Sequence, residues 1–125
     1  MFNASKAIIR FENSFFLQLR DNDNNIPYPN RWAFFGGRLF LNEEPKAGLI
    51  REINEELSFL PQYPKEFYRW CNAETNTLII FFLVELSKEE SFNNINEGQS
   101  GQWFRRDDLD LIPISPDVDA VKDLL

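Results

Sequence analysis

Short apolar runs recur along the chain, set apart by turn-forming clusters of Asn, Asp, Gly and Pro. "KAIIRFENSFFLQLR" holds two β-prone runs around a polar step at Glu12 to Ser14, the pattern of a hairpin. "DNDNN", Asp21 to Asn25, reads as a loop, and "PYPNRWAFFGG" then leads a Trp and two Phe, the makings of a short strand, into Gly36 and Gly37. Further on, "KEFYRWCN" and "TLIIFFLVEL" predict two strands around a turn near Glu74 to Asn76, the second apolar enough for a sheet centre. "SKEESFNNINEGQSG" is a polar loop, "QWFRR" a short strand, and "SPDVDAVKDLL" a closing helix with Ser115 as N-cap and Pro116 in its first turn. There is no internal repeat.

Between the Gly pair and the later strands the period changes. Pro45 suits a first helical turn, and Leu49, Ile50, Ile53 and Leu57 form an apolar stripe, so a helix is predicted from about Pro45 to Leu57. "REINEE" then sets Glu52, Glu55 and Glu56 within an arc of roughly 100° of that helix. Like charges at this spacing repel by a few tenths of a kcal/mol per pair, near the helix end where the macrodipole disfavours anions. A solvated acidic face and a cation-binding cluster are the two readings.

Composition narrows the chemistry. A chain of 125 residues, 43% hydrophobic, suits one domain over residues 1–125, and the strand and helix order predicts an α/β (α+β) sandwich with a mixed sheet between helices. With no histidine and one cysteine, Cys71, the usual zinc sites, His-based catalysis and internal disulfides are excluded. A net charge of -7 argues against nucleic acid as partner, and the sequence has neither a signal peptide nor a membrane span, so a cytoplasmic protein with no membrane partner is expected. Nothing in the pattern sets an oligomeric state.

The segment from Gly37 to Phe59 carries a longer pattern: Gly37, five residues, Glu43, seven residues, then Arg51-Glu52-Ile53-Asn54-Glu55-Glu56-Leu57-Ser58-Phe59. It resembles the signature of the Nudix hydrolases (MutT-like), Gly-x5-Glu-x7-Arg-Glu-U-x-Glu-Glu-x-Gly-U with U aliphatic or aromatic. Each fixed position matches except the last Gly, which is Ser58. The resemblance implies a Nudix-type α/β/α sandwich and Mg²⁺- or Mn²⁺-dependent hydrolysis of a nucleoside diphosphate linked to another moiety. A chain this compact looks most like members acting on nucleoside triphosphates, including oxidised ones. A nucleotide-sugar hydrolase and a non-catalytic nucleotide-binding module are the alternatives, and a small-molecule nucleotide is the expected partner in each. The acidic cluster agrees, since carboxylates suit a hard cation.

By position in the motif, Glu52 and Glu56 look like metal ligands, Glu55 a ligand or catalytic partner through water, and the backbone at Gly37 a further ligand. Gly36 and Glu43 fall to structural roles, and Arg51, counted with the catalytic set, resembles the motif arginine that pairs with the first glutamate. Glu97 is the expected general base, with Glu89 and Glu90 as rivals; Arg38 is placed to meet a phosphate, and Asp117 to read a base edge. Trp32, Phe34, Phe35, Trp103 and Phe104 stand as base-stacking or core residues. Ser58 is expected to end the helix in a left-handed conformation that Gly would adopt more freely.

Overall fold

The computed structural model describes residues 1–92, 95–96 and 98–125. Among them lie seven strands and two α-helices: β1 (Phe2–Phe11), β2 (Ser14–Leu19), β3 (Trp32–Ala33), β4 (Phe35–Arg38), α1 (Pro45–Leu57), β5 (Lys65–Asn72), β6 (Thr77–Glu85), β7 (Ser100–Arg105) and α2 (Pro116–Val121). The path β3-β2-β1-β6-β5 is mixed, because β1 and β6 run parallel while the other pairs are antiparallel. β7 adds to β2 and β4 to β1.

Adjacent apolar residues explain the layering. Side chains alternate across a strand, and Ile8, Phe15, Phe34, Ile79 and Phe81 enter one core while Ile9, Phe16, Phe35, Ile80 and Phe82 enter the other. Val118 and Val121 of α2 close the first core; Leu49, Ile53 and Leu57 of α1 close the second. Both sheet faces are therefore covered, which is why the strands read as continuous apolar runs rather than alternating ones.

The residues that position the site lie between β2 and β1. β3 pairs with β2 through Ala33 and Trp32, and β4 pairs with β1 through Phe35 to Arg38, so the chain changes partner strands at Phe34. There the peptide groups are satisfied by side chains: Gln18 Nε2 donates to the Phe34 carbonyl at 3.1 Å, and the Phe34 N–H donates to Asp117 Oδ2 at 3.2 Å.

Two expectations need correction. The closing helix does not run through Leu125: α2 stops at Val121 and a 3-10 turn follows over Lys122–Leu124. The strand expected over "QWFRR" begins earlier, at Ser100, and Arg106 instead opens a 3-10 turn ending at Asp110. No helix among the described residues is long and apolar enough to cross a membrane.

Candidate active site

α1 begins at Pro45, whose carbonyl accepts a hydrogen bond from the buried Ser5 hydroxyl at 2.8 Å, and ends at Ser58, with φ 52° and ψ 42°. Its carboxylates do not share one solvated face. Glu56 is 3% exposed, while the side chains of Glu52 and Glu55 are 15% and 56% exposed, so the acidic run descends from solvent into the protein.

Two glycines of β4 let the helix come this close. A Cβ on Gly37 would sit 2.8 Å from the Glu52 carboxylate. Gly36 has φ 138°, a Cβ there would meet the Ser5 carbonyl oxygen at 2.1 Å, and its N–H donates to Glu56 Oε2 at 3.1 Å. Both are required on steric grounds: a side chain at Gly37 would collide with the Glu52 carboxylate, and one at Gly36 with the backbone of β1.

Arg51 is the hub of the cluster. Its Nε and Nη2 donate to Glu43 at 2.8 and 3.0 Å, and its Nη1 donates to Glu52 at 3.1 Å and to Glu55 at 3.2 Å. Nη2 also reaches the Arg38 carbonyl at 3.3 Å, and the Phe40 ring lies 3.8 Å from the guanidinium carbon. The Arg51 hydrogen bond, helped by the Phe40 N–H, holds the Glu43 carboxyl below its ordinary range; the same pairing raises the Arg51 pKa further. The like charges on α1 thus find an internal counter-ion one residue away.

Among the described residues, no three acidic, His or Cys side chains are arranged to hold one ion as they stand. The donor set nonetheless fits a hard divalent cation: it consists of carboxylate oxygens, and Gly37 leaves Glu52 room that a Cβ would fill.

A cleft of about 170 Å³ opens on the other side of Gly37, bounded by Ala4, Lys6, Ala33, Arg38, Thr77 and Ile79 on the sheet and by Ser115 and Asp117 from the start of α2. Neither Lys6 nor Arg38 forms an ion pair with a described residue. Two such cations beside an acidic helix, in a chain of net charge -7, suit an anionic ligand. The Phe2 ring lies 3.9 Å from the Arg38 guanidinium carbon. Asp117, 6% exposed, is fixed from three sides: by the Ser115 hydroxyl, by the Val118 N–H at 2.9 Å and by the Phe34 N–H.

The structure thus brings Gly36, Gly37, Glu43, Arg51, Glu52, Glu55 and Glu56 together, with Arg38 and Asp117 along the adjoining cleft. Glu97 lies outside the described residues. Phe34, Phe35 and Phe104 are buried in the cores and Trp32 and Trp103 pack against them, so the core reading holds for all five. The aromatic side chain that does line the cleft is Tyr28, which sequence reasoning passed over inside a Pro-rich loop. Its flanking prolines marked the loop but not its direction.

Comparison with known proteins gives a family match and several relatives. The model of the NUDIX domain matches residues 2–124. The 8-oxo-dGTP diphosphatase of Escherichia coli (strain K12) is 31% identical over 101 residues, covering 78% of this chain and 75% of the relative. Among solved structures, the MutT NUDIX hydrolase from Burkholderia pseudomallei superposes with a TM-score of 0.80 at 20% identity, covering 98% of this chain and 95% of that one. The NUDIX domain of Shewanella oneidensis NrtR, solved with ADP ribose, also reaches 0.80, at 15% identity and covering 98% and 84%. At these identities the two structures speak to the fold.

Proposed function

Because this chain belongs to the NUDIX domain family, we propose that it is a pyrophosphohydrolase acting on nucleoside triphosphates, oxidised ones included, with Mg²⁺ or Mn²⁺ as cofactor. One observation carries the reading: the carboxylates of Glu52 and Glu56 abut Gly37 and Gly36 at the end of a cleft whose Lys6 and Arg38 are free of described carboxylates. The E. coli relative, an 8-oxo-dGTP diphosphatase, supports the substrate class.

Glu52, Glu56 and Glu55, with the backbone at Gly37, would hold the cation. When bound, it would neutralise charge developing on the diphosphate and lower the pKa of an attacking water. Lys6 and Arg38 bind and orient the phosphate oxygens, Arg38 with a fork of N–H donors and Lys6 as a point charge. Arg51 keeps Glu43 ionised and sets where Glu52 and Glu55 point. Asp117 offers Oδ2 to an N–H on the base edge. Glu97 takes the proton from water in this scheme, a role typically worth about 10²–10⁴ in rate, and Glu97→Gln should lower kcat accordingly while Glu89→Gln and Glu90→Gln do little.

The reading is tested by following nucleoside monophosphate formation by chromatography, together with pyrophosphate or sugar phosphate as the second product, from ordinary and oxidised nucleoside triphosphates, ADP-ribose and sugar nucleotides with Mg²⁺. Pyrophosphate and a nucleoside monophosphate from a triphosphate are the expected products. Turnover confined to sugar nucleotides, or none at all, would overturn it.

A further inference from the structure

One aromatic side chain, Tyr28, lines the cleft together with Pro27, Asn72 and Thr75. Tyr28 sits in the loop between β2 and β3, and its phenolic oxygen crosses to the β5–β6 side, donating to Glu74 Oε1 and accepting from Asn72 Nδ2, both at 3.2 Å. The receiving end is firm: Asn72 is 5% exposed, and its Oδ1 accepts the Glu74 N–H at 3.0 Å. The loop is tied at its base as well, where Arg20 Nε donates to the Pro27 carbonyl at 2.9 Å and the Asn30 N–H donates to Asp21 at 3.1 Å.

Tyr28 takes a φ of 53°. This left-handed conformation is uncommon for a bulky residue, and here the side chain is held by the two bonds of its hydroxyl and the ties at the loop base. Beside Lys6, Arg38 and Thr77, the sheet side of the same cleft presents an aliphatic stretch of Ala4, Ala33 and Ile79. A flat ligand entering there has an aliphatic floor below and a phenol ring at its boundary.

We propose that Tyr28 is a specificity-determining residue: it offers an aromatic face to the nucleobase, and the bonds of its hydroxyl to Asn72 and Glu74 fix that face in place. The proposal rests on the nucleotide reading above and adds the residue that senses the base. Stacking tolerates different bases, so Tyr28 would distinguish ligands with a base from ligands without one. Base identity would fall to the polar groups at Asp117.

The test uses the whole protein without metal and two probes that need no turnover, dGMP and 2-deoxyribose 5-phosphate, with affinities read by calorimetry for wild type, Tyr28→Ala, Tyr28→Phe and Tyr28→Trp. Tyr28→Ala should weaken dGMP on the order of 10-fold and leave the sugar phosphate unchanged. Tyr28→Phe, which keeps the ring and loses the strap, should lose only about 3-fold, and Tyr28→Trp should bind dGMP better than Tyr28→Ala. Equal losses for both probes, an unchanged dGMP affinity in Tyr28→Ala, or a wild type that binds the two probes alike would each overturn the proposal. If wild type cleaves triphosphates while Tyr28→Ala binds dGMP normally, this inference alone fails. If no nucleotide is cleaved and the Tyr28 dependence holds, the hydrolase reading fails and the base contact stands.

Discussion

Two helices bring carboxylates to the same short segment, Phe34 to Gly37, from opposite faces of the sheet, and hold them by different means. On α2, Asp117 is gripped by two backbone amides and a neighbouring hydroxyl. On α1, Glu52 and Glu55 share one nitrogen of Arg51, a side chain anchored on Glu43. A carboxylate fixed by main-chain donors cannot be re-aimed without undoing the strand beneath it. Carboxylates held by a guanidinium can exchange that partner for another cation when a rotamer turns. The contrast sets a carboxylate whose direction is fixed, on α2, against two on α1 that can change partners.

The largest effect should come from the α1 side. Glu56→Gln keeps the side chain's shape and an acceptor for the Gly36 N–H but removes the charge, and kcat should fall about 10²–10³-fold or more with an unchanged circular dichroism spectrum. Near wild-type turnover at saturating Mg²⁺ would overturn the proposed role of Glu56 in holding the cation. Asp117→Ala should do the reverse. It strips the Phe34 N–H of its partner in a buried setting, so stability should drop by about 1–3 kcal/mol in chemical denaturation while kcat at saturating substrate stays within several-fold.

Glu43→Gln sharpens the comparison through pH. The folded pKa of Glu43 is depressed, so its stabilising contribution is complete above the ordinary glutamate value of about 4.3 and is lost as pH falls through the lower folded value. The variant should be less stable than wild type at neutral pH, and the two should converge in melting temperature as the medium is acidified below that value. A constant gap across the acid range would place the Glu43 contribution elsewhere than in its charge. Ser58→Gly is the smallest: the left-handed helix end suits Gly, and a gain of up to about 1 kcal/mol is expected with no change in kcat. A loss would mean that the Ser58 side chain contributes more than its backbone strain costs.

Much of this was legible in the sequence because the relevant signals are local. Pro45 and the Leu49, Ile53, Leu57 stripe marked both ends of α1 as they stand in the structure, and the glutamate spacing placed the acidic cluster on it. The hairpin of β1 and β2 turned where its polar step was, with Glu12 at φ 51°. What escaped notice depends on distance in the chain. The motif pointed to the pairing of Arg51 with Glu43, but not to the second half of its guanidinium, whose Nη1 reaches Glu52 and Glu55. Aromatic runs such as Phe34-Phe35 pointed to packing more than to stacking, and both covered sheet faces bear that out. Tyr28 was hidden because a loop's course is set by what it touches, here Asn72 and Glu74, more than forty residues on. The short 3-10 turns lack any period to detect.

The change of partner strands at Phe34 also makes this stretch a ruler. Its length, more than its composition, sets the geometry of everything around it. Conservative exchanges at Trp32 or Ala33 alter packing at one point. Adding a single residue between Leu19 and Gly36 inside the paired segment would transpose Phe34 and Phe35 between the two cores, separate the Phe34 amide from Asp117 and draw the glycines out from beneath Glu52 and Glu56. Natural and designed variants of this chain should therefore accept insertions most readily at the exposed Asn22–Asn25 turn, ahead of the segment that carries Tyr28, and almost none in the handful of residues from Trp32 to Gly37.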